Sequence, residues 1–128
     1  MASKDFKLTK RQQEILDLFE SADDPLTSQQ AWENAKKRGI EVGLATVYRA
    51  ITRLVELRML HTILIEDQTP LFEAASKPHH HHFYCQNCEK IFSIKKCPPS
   101  IDQLVPSGFR MTGHAITLYG VCKDCEKE

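Results

Sequence analysis

The chain has 128 residues, of which 41% are hydrophobic and 27% charged, and its 17 basic and 17 acidic side chains cancel. This length suits one compact unit or two small ones, and the composition is that of a soluble globular protein. The zero net charge excludes the strongly basic signature by which many nucleic-acid-binding domains are recognised. No apolar run reaches the ~18 residues of a membrane span, and the N-terminus has no signal-peptide core, so we expect a cytoplasmic protein without a membrane partner.

Helical periodicity and capping signals predict three helices in the first half of the chain, over residues 9–20, 27–39 and 45–57. Thr9 is the expected N-cap of the first helix, because its hydroxyl can accept a hydrogen bond from a free backbone amide. Thr27 and Gln30 have the spacing of a capping box at the start of the second helix. Gly39 follows three basic residues and is the expected end of that helix.

A two-stranded hairpin is predicted over residues 60–74, LHTILIEDQTPLFEA, with EDQTP as its polar turn. Three short helices followed by a hairpin form a winged helix-turn-helix, in which a short turn containing glycine joins the second and third helices. The remaining residues carry short β-rich runs after a linker-like AASKP. We therefore predict an α+β protein with a winged-helix domain and hinge over residues 1–77 and a small α/β domain over 78–128.

Two Cys-x-x-Cys pairs lie in the second half, at Cys85 and Cys88 and at Cys122 and Cys125. Together they supply four thiolates, which is the closed tetrahedral set of structural zinc. Since a closed set leaves no open coordination position, we predict a structural role. Disulfides or unrelated buried cysteines are the alternative, which reducing conditions in the cytoplasm disfavour.

Four consecutive histidines, His79 to His82, run directly into the first cysteine pair. If residues 79–84 form a strand, alternate side chains point to opposite faces. His79 and His81 then lie on one face, and His80 and His82 lie on the other. We interpret the run as two pairs of metal ligands, one pair on each face of the strand, and not as an expression tag or a merely exposed stretch.

Each histidine pair needs further ligands to complete a metal site. His61 begins the hairpin and Glu73 ends it, so closure of the two domains would bring both to the His80/His82 face. The result would be a His₃Glu regulatory site suited to zinc or iron.

The opposite face draws on the second half of the chain alone. There we expect an auxiliary site of His79, His81 and His114, with Cys97 as a further candidate. A single cysteine is more often a small buried apolar residue, so the role of Cys97 depends on the whole constellation.

Three motifs together resemble the ferric uptake regulator family of bacterial metal-sensing repressors: GLATVYRAITRL (43–54), HHHHFYCQNC (79–88) and GHAITLYGVCKDC (113–125). The resemblance implies a homodimer that binds double-stranded operator DNA, with dimerisation through the second domain. It also implies that a regulatory divalent metal closes the dimer onto its operator. The DNA contacts that it implies come from the start of the third helix, with support from the first: Thr46, Tyr48, Arg49 and Arg11.

The resemblance also bears on the metals. It assigns the four cysteines to structural zinc and Glu73, His80 and His82 to the hinge metal site. The loop before the second helix, where many iron sensors place a ligand, has no histidine here, and His61 matches the hairpin ligand of the zinc-sensing branch. That branch often places a cysteine near the end of the hairpin, where this chain has Glu73. We favour zinc over iron or manganese.

At the auxiliary site, the resemblance covers His79, His81 and His114. The family's usual acidic ligand is absent, and Ser100 lies near its expected position. Cys97 is the nearest candidate to replace it. The segment between Cys97 and Phe109 is also shorter than the helical connection of many members.

Three other functions are alternatives to that of a zinc-responsive repressor. An iron-, manganese- or peroxide-responsive member of the same family is the main alternative. A small zinc enzyme would need a motif such as H-E-x-x-H or H-x-E with P-C-x-x-C, and neither occurs. A zinc-ribbon interaction module would leave the winged helix unexplained. We therefore predict a regulator that is not an enzyme and has no small-molecule substrate.

Overall fold

The computed structural model describes residues 7–127, and these divide into two compact units between Lys77 and Pro78. The first unit has three helices, α1 (Lys10–Ser21), α2 (Ser28–Lys37) and α3 (Leu44–Glu56), and two strands, β1 (Leu60–Ile63) and β2 (Leu71–Ala74). The second has strands β3 (His81–Cys85), β4 (Ile91–Ile94) and β5 (Thr117–Gly120), a 3₁₀ turn (Ile101–Leu104) and a short helix α4 (Lys123–Glu126). The predicted α+β class is confirmed. Among residues 7–127, none of the helices has the length and apolar composition of a membrane span.

Side-chain caps start the first two helices where the sequence predicts them. Thr9 accepts a hydrogen bond from the Gln12 amide at 3.1 Å, and its own amide donates to the Gln12 side chain at 3.0 Å. Thr27 and Gln30 form the same reciprocal box, at 3.1 and 2.9 Å. Each such cap stabilises a helix by about 1 kcal/mol. The α2 helix stops before Gly39, whose φ of +78° is the left-handed conformation that glycine adopts without strain.

One apolar core holds the first unit together. The stripes of α1, α2 and α3 face one another, and burial of each large side chain contributes about 1.5–3 kcal/mol. Leu60 and Ala74 of the hairpin complete this core. The residues with no measurable exposure in the helices are Ile15, Ala31, Ala35, Val47 and Leu54.

The hairpin is antiparallel, and its register sets His61 opposite Glu73. Leu26, in the connection before α2, forms a further bridge to Phe72, with backbone hydrogen bonds of 2.7 and 3.0 Å. The hairpin is thereby attached to the helices as the wing of a winged helix-turn-helix, as predicted.

The second unit is built on a three-stranded sheet of order β4-β3-β5. The central strand β3 runs antiparallel to β4 and parallel to β5. It begins at His81, later than the strand that the sequence predicts over 79–84. The reason is that strand pairing starts only where His81 meets Ile94 and His82 meets Thr117.

Candidate metal centres and the recognition helix

Four cysteines meet at the end of this sheet. Cys85 is the last residue of β3, Cys122 is the N-cap of α4, and Cys125 lies within α4. The sulfur atoms of Cys85 and Cys125 are 3.7 Å apart, and those of Cys88 and Cys122 are 3.8 Å apart. Disulfide bonds of about 2.05 Å are therefore absent from this set. A zinc ion with Zn–S bonds of about 2.3 Å separates its sulfurs by about 3.8 Å, so the donor set fits zinc.

Backbone amides polarise this cluster. The amides of Cys88 and Cys122 each donate to the Cys85 sulfur at 3.4 Å. These bonds, chiefly that from Cys88, lower the pKa of Cys85 to about 6 and favour its thiolate. A hydrogen bond with Asn87 lowers the pKa of Cys125, but desolvation and the other cysteines outweigh it and raise that pKa to about 12. A metal ion bound here would displace the remaining protons.

A second group of donors, which we call the auxiliary cluster, consists of His79, His81, Cys97 and His114. Their candidate ligand atoms all lie within 4.8 Å of one another. The Cys97 sulfur is 3.4 Å from His81 Nε2 and 3.1 Å from His114 Nε2. The His79 ring centroid lies 4.6 Å from that of His81 and 4.9 Å from that of His114. Three imidazoles and one thiol therefore converge from three separate stretches of the chain.

His81 is the buried member of this cluster, with 2% of its surface exposed. Burial lowers its pKa, and the neighbouring His79 and His114 lower it further. The lowered pKa favours the neutral form of His81, which is the form that binds metals. Its Nδ1 atom accepts a hydrogen bond from the Ile116 amide at 3.2 Å. Sequence reasoning missed this contact, because a backbone donor leaves no signal in the sequence.

In the first unit, the wing brings His61 and Glu73 together. The His61 Nε2 atom lies 3.3 Å from a Glu73 carboxylate oxygen. Glu73 is only 1% exposed, whereas His61 is exposed to solvent. A buried carboxylate is stable only with partners, and an imidazole beside it supplies one. This pair can offer an oxygen and a nitrogen to a metal ion.

In the second unit, the rings of His80 and His82 lie side by side, with centroids 4.7 Å apart. His80 Nδ1 lies 2.8 Å from the Pro78 carbonyl oxygen. Since a carbonyl only accepts, Nδ1 carries the proton and Nε2 of the neutral ring keeps its lone pair for a metal. That these two histidines act together with His61 and Glu73 remains a prediction.

The predicted DNA-contacting residues lie mainly at the start of α3. The Arg49 guanidinium donates to the Thr46 hydroxyl at 3.2 Å, and Tyr48 is 49% exposed. In helix-turn-helix proteins, this end of the recognition helix enters the major groove. Arg11, in α1, donates to Glu14 at 2.8 Å. Their contacts with DNA also remain predictions.

The whole chain is similar to known metal regulators. A sequence model described as the ferric uptake regulator family matches residues 3–119. The ferric uptake regulation protein of Campylobacter jejuni is 35% identical, over 95% of this chain and 81% of that protein. The protein of the same name from Neisseria meningitidis serogroup A is 31% identical, over 94% of this chain and 86% of that protein.

Solved structures of ferric uptake regulators are also similar to this chain. The ferric uptake regulator of Francisella tularensis with iron has a TM-score of 0.79 at 29% identity, covering 94% of this chain and 95% of that chain. The Helicobacter pylori regulator reaches a TM-score of 0.82, covering 98% of this chain and 86% of that one, but its 18% identity shows the fold alone. The family match excludes the zinc-enzyme and zinc-ribbon alternatives. The chain therefore belongs to the ferric uptake regulator family, as its motifs predict, and is a metal-responsive, DNA-binding transcriptional regulator and not an enzyme.

Proposed function

We propose that this regulator is a homodimeric, zinc-responsive repressor that acts in the cytoplasm on double-stranded operator DNA of metal-homeostasis genes. The observation that carries the zinc assignment is the pairing of His61 with Glu73 across the wing at 3.3 Å. The loop before α2 offers no histidine that would replace His61. With two imidazoles from the histidine run, this pair makes a His₃Glu set, which suits zinc.

The proposed regulatory site takes His61 and Glu73 from the first unit and His80 and His82 from the second. A metal that draws ligands from both units has different affinities for different arrangements of those units. Such a difference is what a ligand needs to shift a conformational equilibrium. Coupling of about 1–3 kcal/mol per site would change DNA affinity by about 5–150-fold.

The second proposed metal is a structural zinc held by Cys85, Cys88, Cys122 and Cys125. The two sulfur separations of 3.7 and 3.8 Å support this proposal. Because the set is closed, the ion would bind no substrate and would contribute to folding instead.

The proposed DNA reader is the N-terminal part of α3, with Thr46, Tyr48 and Arg49 as contacts and Arg11 as support. The helix begins after Gly43, which places no side chain over its first amides. Those amides would attract a phosphate group of the DNA backbone. The chain has no net charge, so placement of a few side chains, and not overall charge, would direct binding.

The exposed strand β5 supports the proposed homodimer. It is an edge strand of the sheet in the second unit. Leu118 in this strand is 49% exposed, and Val121 just after it is 48% exposed. Exposed apolar edge strands pair readily with other strands, and a second copy of the chain would cover this one symmetrically.

Iron is the second candidate for the regulatory metal. The relatives from Campylobacter jejuni and Neisseria meningitidis are named ferric uptake regulation proteins, and the Francisella tularensis structure is described with iron. A His₃Glu set also suits iron(II). Titration with both metals distinguishes the zinc proposal from this alternative.

The test is metal analysis of the purified protein, followed by fluorescence anisotropy with a labelled DNA fragment from its own upstream region. Zinc, iron(II) and manganese(II) are each titrated at buffered free concentrations, with an unrelated fragment as control. We expect zinc to raise affinity for the upstream fragment only. A stronger response to iron(II) would overturn the zinc assignment, and no response to any metal would overturn the proposed metal control.

A further inference from the structure

The recognition helix α3 begins differently from the other two helices of the first unit. Thr9 and Thr27 cap α1 and α2 through their side chains, whereas the N-cap of α3 is Gly43, which has no side chain. The first turn of α3 is closed by a hydrogen bond from the Val47 amide to the Gly43 carbonyl oxygen at 3.1 Å. A glycine N-cap gives the free amides of that turn no side-chain acceptor. The direction in which the chain enters α3 therefore depends on contacts of the connection before it, residues 38–43.

Trp32, in α2, supplies such a contact. Its indole Nε1–H donates to the Val42 carbonyl oxygen at 2.9 Å, one residue before the N-cap of α3. The Trp32 ring is half-buried and packs against the core of the first unit. The Lys36 Nζ atom lies 4.3 Å from the ring centroid, and this cation–π contact further restricts the ring. The connection is thus tied to α2 by a donor whose own position is fixed.

The hydrogen bond from Trp32 adds a direction that apolar packing does not supply. Val47, in the first turn of α3, is fully buried, and its packing limits how far that turn can shift. Apolar burial has no preferred direction, whereas a hydrogen bond weakens steeply when its angle departs from the preferred range. The bond from Trp32 therefore fixes the direction in which the chain enters α3, and with it the orientation of the side chains in the next two turns.

We propose that Trp32 is a positioning residue of the DNA reader, whose indole N–H holds Val42 and thereby orients the N-terminal turns of α3. This inference rests on the proposed function, in which those turns contact DNA through Thr46, Tyr48 and Arg49. Contacts to base edges distinguish one DNA sequence from another and depend on close placement, whereas contacts to phosphate groups are shared by all sequences. Loss of the Trp32 bond should therefore weaken binding to the operator more than binding to unrelated DNA.

The first test contains no DNA and removes the indole N–H alone. Replacement of Trp32 by benzothienylalanine, an isostere with sulfur in place of the N–H, keeps the shape of the ring. We expect the Val47 amide to exchange with solvent about 2–10-fold faster in this variant, because the first turn of α3 opens more often. The Leu54 amide, further along the same helix, should exchange at an unchanged rate. An unchanged Val47 rate in NMR, or equal acceleration of both amides, would overturn the proposed role of Trp32.

The second test measures DNA affinity by fluorescence anisotropy, with whichever of zinc, iron(II) and manganese(II) raises it most. In the isostere variant, affinity for the labelled upstream fragment should fall by about 2–10-fold. Affinity for an unrelated fragment should change by less than about 2-fold, because the phosphate contacts remain. Trp32→Phe also lacks the N–H and should show the same selective loss.

Ile15→Val is the matched control for Trp32→Phe, which also removes part of the packing of the ring. Ile15 is fully buried in α1, so its truncation lowers stability without changing the connection before α3. It should leave both DNA affinities unchanged. Equal losses for the two fragments in the Trp32 variants, or the same selective loss in Ile15→Val, would show that Trp32 acts through stability alone and would overturn its positioning role.

The positioning role and the proposed function fail in different ways. If the wild type showed no metal-dependent binding to the upstream fragment, the repressor function would be wrong, and the exchange rates would still decide whether Trp32 holds the first turn of α3. If the wild type bound the fragment and both Trp32 variants matched it, the positioning role would be wrong and the repressor function would stand.

Discussion

The two units of this regulator are stabilised in different ways. In the first, side chains from three helices and a hairpin form one continuous buried apolar cluster. In the second, the buried apolar side chains among the described residues are only Tyr84, Cys85 and Cys122. Two of these three belong to the four-cysteine cluster. Domains this small usually need a metal, disulfides or a partner subunit to fold stably. The first unit is therefore expected to fold by apolar burial, and the second by metal binding and association.

This difference would separate the task of binding DNA from the task of responding to metal. Under the proposed function, a DNA-binding unit with its own core would keep its shape whether or not metal is present. A unit stabilised by metal ligands responds to metal directly, because binding and folding are then one equilibrium. The following predictions test this separation, from the largest expected effect to the smallest.

Removal of one cysteine ligand should have the largest effect. Structural zinc supplies about 10–16 kcal/mol to small zinc domains, which matches or exceeds the total stability of about 5–15 kcal/mol of most domains. We expect Cys122→Ser to lose zinc and the dimer together and to unfold the second unit, while α1 to α3 stay protected. Zinc analysis, ultracentrifugation and hydrogen exchange would check this.

Cys97→Ser is the matched control, since it removes a cysteine outside the four-cysteine cluster. It should keep the structural zinc and the dimer. A Cys122→Ser protein that is stable and dimeric without zinc would refute the structural role.

The reciprocal change targets the core of the first unit. Leu54 is fully buried in α3, so Leu54→Ala should lower the free energy of unfolding of that unit by about 2–5 kcal/mol. Trp32 is the only tryptophan and lies in α2, so its fluorescence in urea reports on this unit alone. Zinc content should not change.

Leu64→Ala provides the comparison for this measurement. Leu64 is 72% exposed, and its removal should change stability by less than about 0.5 kcal/mol. Equal losses in both variants, or loss of zinc in Leu54→Ala, would show that the two units do not have separate sources of stability.

The third test compares two neighbouring histidines. His82→Ala should abolish the zinc dependence of DNA binding, a loss of about 5–150-fold in affinity at saturating zinc. His81→Ala should only reduce it, because the auxiliary cluster lies wholly in the second unit. Zinc-titrated anisotropy measures both. If the two variants exchanged behaviours, the assignment of the regulatory and auxiliary sites would be wrong.

The last prediction concerns the recognition helix, and its expected size is similar to that for His82→Ala. Arg49→Ala should weaken operator binding by about 1–3 kcal/mol without changing metal content or dimerisation. Arg53, one turn later on the same helix and paired with Glu56 at 3.4 Å, is the control, and Arg53→Ala should have less effect. Unchanged affinity in Arg49→Ala would mean that another surface reads the DNA.

Much of the fold could be predicted because its signals are local. The Thr27–Gln30 box and the stop at Gly39 depend on residues within one helical turn. Strand alternation likewise predicts that His79 lies beside His81 and that His80 lies beside His82, and the ring centroids are 4.6 and 4.7 Å apart. The extent of β3 was predicted less well, because a strand begins only where its neighbours pair with it.

The sequence by itself determined the chemistry that is available: six histidines and five cysteines, all of which fall in the three predicted metal sets. Their ligand types and local spacing are properties of the side chains and of short stretches of backbone. Only the tertiary structure decided which distant groups meet. Cys97 reaches His81 and His114 across separations of 16 and 17 residues. The amides of Cys122 and Ile116 donate to sulfur and nitrogen acceptors more than 30 residues away. Such contacts depend on how the strands of the whole sheet pair and on the path of the loops between them, and no short window of sequence contains that information.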